Sequence, residues 1–533
     1  MHYVIEKQIV HLSESITFER KNVMLEKTFC ATCVGIDAVT VTVELDLSAG
    51  VGLHLVGLPD SAVRESLLRV ITALSSYGFR IPGKRVVVNL APADIRKEGT
   101  GYDLAIAVGL LAVSEQVALP RLGEFILVGE LALDGTLREV PGALPIAVHA
   151  ASSGLKGCIF PKKSALEAAD IDGVEVYGAG SLADVIDILS GAEGAQGLLV
   201  HPQPAAERQR APRYNDFKFV KGQKMAKRGL EIAAAGGHNL ILIGAPGSGK
   251  TFMASCLPSI LPPMTRAESI ETSTIYSIAG IGSGGGLMRE RPFRTPHHSA
   301  SLPSIIGGGP MAAPGEISLA HNGVLYLDEV VQFSRTLLDA LRQPVEDGRV
   351  TIARARCKVE YPCSFMLIAS MNPCPCGYCG DGTGRCNCSR SAIENYRARL
   401  SGPMMDRLDM HIFVKGVDAE DLVGETLEEP SEKIAERVAR ARRIQEERFA
   451  RDGIFTNSQM TTELIRRHCE ATEEQKKFLK AVIKRLNLSA RSYNRILKLA
   501  RTIADLEGNN LLSLQNISEA LQFRGLDRME TND

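Results

Sequence analysis

The sequence predicts an α/β protein in three parts: an N-terminal α+β domain, a central domain on a parallel sheet, and a C-terminal helical domain. Three observations carry this reading. Alternating or apolar strands interleave with helical spacing over residues 24–190. The same alternation resumes over 214–417, where strands end in polar residues. From 418 to 533 the pattern is helical throughout. At 533 residues the chain exceeds a single hydrophobic core.

In chain order, residues 1–23 mix charges without an apolar run and read as an extension with no assigned role, not a secretory signal. Val39 to Leu47 alternates as a strand, Ser61 to Leu74 has helical spacing, Lys84 to Leu90 is a strand and Tyr102 to Val113 an apolar helix. Phe125 to Leu131 reads as a strand entering a hairpin at Asp134-Gly135. Residues 191–213 form a linker of Gly, Ala, Pro, Gln and charged residues. In the last block, Ser431 to Arg451, Glu473 to Leu486, Ala490 to Leu506 and Ile517 to Phe523 read as helices.

Composition is that of an ordinary folded protein, with 45% apolar and 23% charged residues. The net charge of -1 gives no global basic signature, and Trp is absent, so nucleic-acid contact would rest on local patches. No stretch approaches the roughly 18 apolar residues of a membrane span, and the expectation is a cytoplasmic protein with no membrane partner.

Asn239 to Ile243 is a short apolar strand running into Gly244-Ala245-Pro246-Gly247-Ser248-Gly249-Lys250-Thr251, the phosphate-loop pattern G-x-x-x-x-G-K-[ST] in its required setting. Glycines let backbone N–H groups face phosphates, Lys250 is expected to reach the β and γ phosphates, and Thr251 to ligate Mg²⁺. Gly323 to Val330 is a second apolar strand ending in Asp328-Glu329. Asp328 is the expected Mg²⁺ partner and Glu329 the group that activates the attacking water. A third strand, Phe365 to Ser370, ends at Asn372, which suits a sensor bridging that water and the γ-phosphate. Hydrolysis in a ring also calls for a cation from the neighbouring subunit. Arg407 is the first candidate, with Arg397 and Arg399 as alternatives. Arg491, opening a C-terminal helix after Ser489, is expected to reach the nucleotide from the lid.

With these motifs in order, and with Val34-Gly-Ile-Asp37, Val56-Gly-Leu-Pro-Asp60, Asn89 to Ile95, Arg291 to His298, Pro314 to Asn322 and Asn372 to Gly377, the chain resembles the Mg-chelatase-like AAA+ proteins of the ComM/YifB group. The resemblance covers about Met24 to Arg524. It implies a hexameric ATPase that encircles DNA and promotes branch migration in recombination, as in natural transformation. It also implies that residues 24–190 take the Lon-protease-like (S5-like) fold ahead of the AAA+ core and the helical lid. Gly101 stands where that fold's nucleophile would be and Thr100 is the nearby hydroxyl, so the Ser–Lys pair of a peptidase is missing. A chelatase-type motor acting on a protein partner, or a Lon-like protease, are the competing readings.

Arg349 to Lys358 alternates β-branched residues with cations. In the resembling motors an insertion here enters the pore, where Arg354, Arg356 and Lys358 would touch DNA phosphates. Glycines between Ile275 and Pro310 suit a loop that moves with nucleotide state. Arg291 and Arg294 are candidates for the subunit interface, and His297 and His298 read as structural. Five cysteines crowd into 374–388. Thiolates in a short glycine-rich loop suit structural zinc, and the paired C-x-C spacing of the family favours Cys374, Cys376, Cys386 and Cys388, with Cys379 in reserve.

Overall fold

The computed structural model describes residues 24–202, 214–282, 285–309, 312–353, 358–382, 384–416, 427–486 and 488–525. The 1–23 extension and residues 203–213 of the 191–213 linker lie outside them. The chain divides into two units. One runs to Pro204 and takes in Ser277–Leu287; the other holds Ala205–Tyr276 and everything from Met288.

The first unit contains β1 (Met24–Val34), β2 (Asp37–Ser48), β3 (Gly52–Val56), β4 (Arg85–Ala91), β5 (Phe125–Leu127), β6 (Glu130–Leu131), β7 (Leu137–Arg138), β8 (Gly157–Pro161) and β9 (Glu175–Ala179). Its seven-stranded sheet has the order β3-β4-β2-β1-β5-β8-β9. The β1–β2 and β2–β4 pairs are antiparallel and the rest parallel. Alternation in β2 buries Val41, Val43 and Leu45 while their neighbours stay half-buried. The helix Asp103–Val113 is apolar all round because nearly all of it is buried. The predicted strand Phe125 to Leu131 breaks after Leu127. Its second half is β6, which pairs with β7 around Gly135, and Asp134 Oδ1 accepts from the Thr136 amide at 3.0 Å.

The segment Ser277–Leu287 is bonded into this unit. The Gly142 amide donates to the Ser277 carbonyl at 3.1 Å, Ser277 Oγ donates to Glu167 at 2.7 Å, and the Leu287 amide donates to Asp170 at 2.8 Å. A Cβ on Gly282 would stand 2.0 Å from Glu167 Oε1. Gly282 thus permits close packing, where the sequence suggested loop motion.

The second unit contains β10 (Leu240–Gly244), β11 (Phe293–Arg294), β12 (Gly307–Gly308), β13 (Ala313–Pro314), β14 (Val324–Leu327), β15 (Arg349–Ala353), β16 (Lys358–Pro362), β17 (Met366–Met371) and β18 (Met410–Val414). Five of them form a parallel sheet in the order β11-β14-β17-β10-β18. Strands β10, β14 and β17 are buried along their whole length, as apolar runs in a covered parallel sheet must be. Each fully buried Leu or Ile contributes about 1.5–3 kcal/mol.

The C-terminal helices are Ser431–Arg448, Thr462–His468, Glu473–Leu486, Ala490–Leu506 and Leu514–Gln522. Sequence spacing missed Thr462–His468, which is two turns long and capped by the Thr461 hydroxyl. One buried cluster joins Leu240 and Ile412 of the sheet to Val438, Ile503 and Leu521 of these helices. The two parts expected as separate domains therefore share a core and form one unit. No helix among the described residues is long and apolar enough to cross a membrane.

Candidate nucleotide site

The glycine loop leaves the end of β10 and turns into the helix Lys250–Cys256. Gly247 and Gly249 take φ values of 78° and 85°, open to glycine and strained for other residues. A Cβ built on either meets nothing within 4 Å, so the space over the loop is clear. Within it, Ser248 Oγ is buried and without a hydrogen-bond partner among the described residues. Lys250 folds back over the loop. Its Nζ donates to the Gly244 carbonyl at 2.8 Å, to the Ala245 carbonyl at 3.0 Å and to Asn372 Oδ1 at 3.3 Å. Burial pushes its pKa down, opposed by the charges of Asp328 and Glu329.

Thr251 Oγ1 donates to Asp328 Oδ2 at 3.0 Å. Asp328 Oδ1 accepts from the Tyr326 hydroxyl at 3.0 Å, from the Glu329 amide at 3.0 Å and from Ser370 Oγ. Burial raises the Asp328 pKa, but these hydrogen bonds, led by Ser370 and Thr251, hold it below the ordinary carboxylate range. Glu329 is exposed in the left-handed region at φ 49°, its amide bonded to Ser370 Oγ at 3.1 Å. Lys250, Thr251, Asp328, Glu329 and Asn372 thus converge at the carboxyl ends of β10, β14 and β17, where open α/β sheets collect ligand-binding groups. An open loop, a buried orphan hydroxyl, a lysine and a carboxylate beside a threonine fit a polyphosphate with a divalent cation.

The chain matches the models for magnesium chelatase, subunit ChlI, over residues 216–422, for subunit ChlI of Mg-chelatase over 43–164, and for the ChlI C-terminal region over 428–524. It is 42% identical to YifB of Escherichia coli K12 over 499 residues, covering 93% of this chain and 96% of that protein. It is 43% identical to the competence protein ComM of Haemophilus influenzae over 503 residues, again 93% and 96%. The chain belongs to the ComM/YifB family of Mg-chelatase-like proteins. These are AAA+ ATPases. A more distant likeness, 23% identity over 189 residues, reaches the magnesium-chelatase 38 kDa subunit of Rhodobacter capsulatus and covers 32% of this chain and 54% of that one.

Other predicted residues of this family member lie elsewhere. Arg407 precedes β18, at whose start the Asp409 and Met410 amides donate to the carbonyl of Asn239, the residue before β10, at 2.8 and 3.1 Å. Its guanidinium donates to the Pro403 carbonyl at 2.9 Å and pairs with Glu346. Arg491, expected to reach the nucleotide from the lid, stands 3.5 Å from Asp406, on the same edge as Arg407 and away from the phosphate loop of its own chain. Both line a groove of about 720 Å³ with Asn239, Gly323 and Met366, the first residues of the strand ends. The length of β10, about 15 Å, lies between this edge and Gly244. The cause is packing: the helices Ser431–Arg448 and Ala490–Leu506 pack on the helix Lys224–Gly236 that precedes β10, so Ser489 caps its helix away from the loop. Of the alternatives, Arg399 is exposed and Arg397 Nε donates to the Pro373 carbonyl at 3.3 Å.

Arg291 and Arg294, candidates for an interface, are satisfied within the chain. Arg291 meets Glu268 at 3.0 Å and the Asn322 carbonyl at 2.7 Å, and Arg294 meets Glu316 at 2.7 Å. The expected hairpin exists as the antiparallel pair β15–β16, with exposed Lys358 paired to Ala353. Arg354 and Arg356 lie outside the described residues. In the first unit, Thr100 Oγ1 donates to Glu130, and buried Lys97 donates to the Pro92 carbonyl.

The Sγ atoms of Cys374, Cys376, Cys386 and Cys388 all lie within 4.8 Å of one another. Three of their separations are 3.3, 3.7 and 3.6 Å. Tetrahedral zinc with bonds of about 2.3 Å needs edges of about 3.8 Å, so the set fits the ion. The Cys379 amide donates to Cys374 Sγ at 3.3 Å, which leaves Cys379 beside the set, not in it.

Tyr326 and Ser370 were missed by sequence reasoning. A signal existed for Tyr326: it lies two residues before Asp328 on a strand, hence on the same face. Ser370 reaches Asp328 only through the β14–β17 register, in which Leu327 faces Ala369.

Proposed function

We propose that this protein is an ATP-driven ring motor that acts on DNA, promoting branch migration in homologous recombination such as natural transformation. The observation that carries the ring is the separation of Lys250 from Arg407 and Arg491 onto opposite edges of one sheet. A phosphate loop held apart from Arg407 and Arg491, and an edge lined by those two arginines, complement each other between successive copies in a closed, hexameric ring.

In this reading Gly244–Thr251 cradles ATP, and Lys250 carries charge to the β and γ phosphates. Mg²⁺ held by Thr251 and Asp328 would neutralise phosphate charge. Glu329 takes a proton from water, Asn372 orients that water while linked to Lys250, and Arg407 and Arg491 meet the neighbour's terminal phosphate. Zinc held by Cys374, Cys376, Cys386 and Cys388 would be structural, since four thiolates leave no open position.

The DNA reading is supported by the competence name of ComM and by the β15–β16 hairpin, where Lys358 would contact phosphate. The test is ATP hydrolysis with and without a four-way junction, beside Lys250→Ala. Stimulation by the junction that is absent in the variant supports the motor. Hydrolysis indifferent to every DNA tried overturns it.

A further inference from the structure

The cysteine loop touches the nucleotide site. The chain leaves β17 through Asn372 and Pro373, makes the loop that carries the four clustered thiols, and returns as the helix Arg390–Arg397. Gly377, at φ +90°, lies against the glycine loop: a Cβ there would stand 2.6 Å from Pro246 Cδ and 2.8 Å from its Cγ, with Asn372 Cγ 3.9 Å away. Only glycine lets the loop backbone seat at this distance.

The return helix closes the other side of the Asn372-Pro373 turn. The Tyr396 hydroxyl is hydrogen-bonded to the Asn372 backbone, and Arg397 holds the Pro373 carbonyl. Asn372 in turn accepts from Lys250. The loop therefore sets both how Pro246 is backed and how Asn372 is presented.

Its own secondary structure cannot hold it there. Gly377, Gly380, Gly382 and Gly384 all sit at positive φ, and the described residues of 373–389 form no helix or strand. A glycine-rich segment of this kind loses much conformational entropy when fixed. Among the described residues the thiol cluster ties the two ends of the loop together, while the buried Cys374 anchors one end and Arg385 pairs with Asp381 at 3.1 Å and stacks over Tyr378 at 4.2 Å.

We propose that the four-cysteine loop is a zinc-dependent brace of the nucleotide site, so that zinc binding and ATP binding are thermodynamically linked through Gly377–Pro246 and Asn372–Lys250. The inference rests on the zinc reading above and adds a consequence to it. Linkage is reciprocal: zinc raises affinity for ATP, and ATP raises affinity for zinc by the same factor.

The experiment uses the full chain. Zinc content is measured by native mass spectrometry, and affinity for a fluorescent ATP analogue is measured before chelation, after it, and after zinc is restored. Stripping is expected to weaken nucleotide binding by about tenfold, restoration to recover it, and saturating nucleotide to slow zinc release to a chelator. Gly377→Ala keeps all four thiols. It is expected to retain zinc and a native melting curve while weakening the analogue by a similar factor.

Protein that carries zinc but binds the analogue equally well when stripped, and in Gly377→Ala, overturns the brace and leaves the zinc site standing. Protein that neither carries nor takes up zinc overturns both.

Discussion

Thr251 Oγ1 donates to Asp328 Oδ2 across 3.0 Å, joining the helix after the glycine loop to the end of a neighbouring strand. Two residues 77 positions apart in the chain are thereby held as one oxygen pair, the geometry that a hard divalent cation requires.

Separating binding from turnover tests the roles around that pair. Lys250→Ala is expected to lower ATP turnover by about 10²–10³-fold. Glu329→Gln is expected to lower it by about 10²–10⁴-fold while a fluorescent ATP analogue still binds. Equal loss of binding in both variants would reassign Glu329 to a structural part.

Complementation tests the ring. A Lys250→Ala subunit keeps its arginines, and an Arg407→Ala subunit keeps its phosphate loop. Each alone is expected to be inactive, and mixing them to restore part of the hydrolysis rate. A mixture as inactive as its components would place Arg407 outside the neighbour's site.

Tyr326→Phe removes the hydroxyl that donates to Asp328 Oδ1 at 3.0 Å and approaches Thr251 Oγ1 at 3.3 Å, and leaves the ring in place. The expected cost is about 1 kcal/mol, read as a roughly fivefold higher Mg²⁺ concentration for half-maximal hydrolysis. An unchanged Mg²⁺ dependence would mean that the hydroxyl does not orient Asp328.

Lys358→Ala should leave basal hydrolysis unchanged, weaken DNA binding across all sequences and reduce the slope of log affinity against log salt by about 1. Measuring DNA binding over a salt series checks this, and an unaltered slope removes Lys358 from the interface.

Asp409 gives a pH test of stability. Its carboxylate accepts from the Asn239 amide and Arg495 at 3.1 Å each and lies 3.6 Å from His238 Nδ1. Burial raises its pKa, but His238 and the cations around it bring the net value below the ordinary 3.8. A carboxylate whose folded pKa is depressed adds stability above its unfolded value and loses it as pH falls through the folded one. Asp409→Asn should therefore cost about 3 kcal/mol near neutral pH, with the gap to wild type closing in acid melts below pH 3.8. A gap independent of pH would assign the loss to packing.

How much of this was legible in the sequence depended on how local each feature is. Gly244–Thr251 and Asp328-Glu329 announce themselves because backbone conformation and strand polarity within a few residues dictate their chemistry. The Ser370–Asp328 contact needs the pairing of β14 with β17, which no single segment encodes. Arg491 was read correctly as opening a helix, yet the edge of the sheet it reaches follows from how Ala490–Leu506 packs on the helix Lys224–Gly236, far away in the chain. The close seat of Gly377 on Pro246 has no signal in either loop alone, because it exists only where the two are brought together.

The passage of Ser277–Leu287 through the first unit makes the chain cross between units three times, near 204, 276 and 287. A protease cutting once between Pro202 and Tyr214 would sever a covalent bond without freeing a self-sufficient fragment. Residues 24–202 expressed alone would lack the strip that satisfies the Gly142 amide and the Glu167 carboxyl. The two parts are therefore spliced into each other, not strung as beads, and a transplant of either one into another protein must carry this strip with the first.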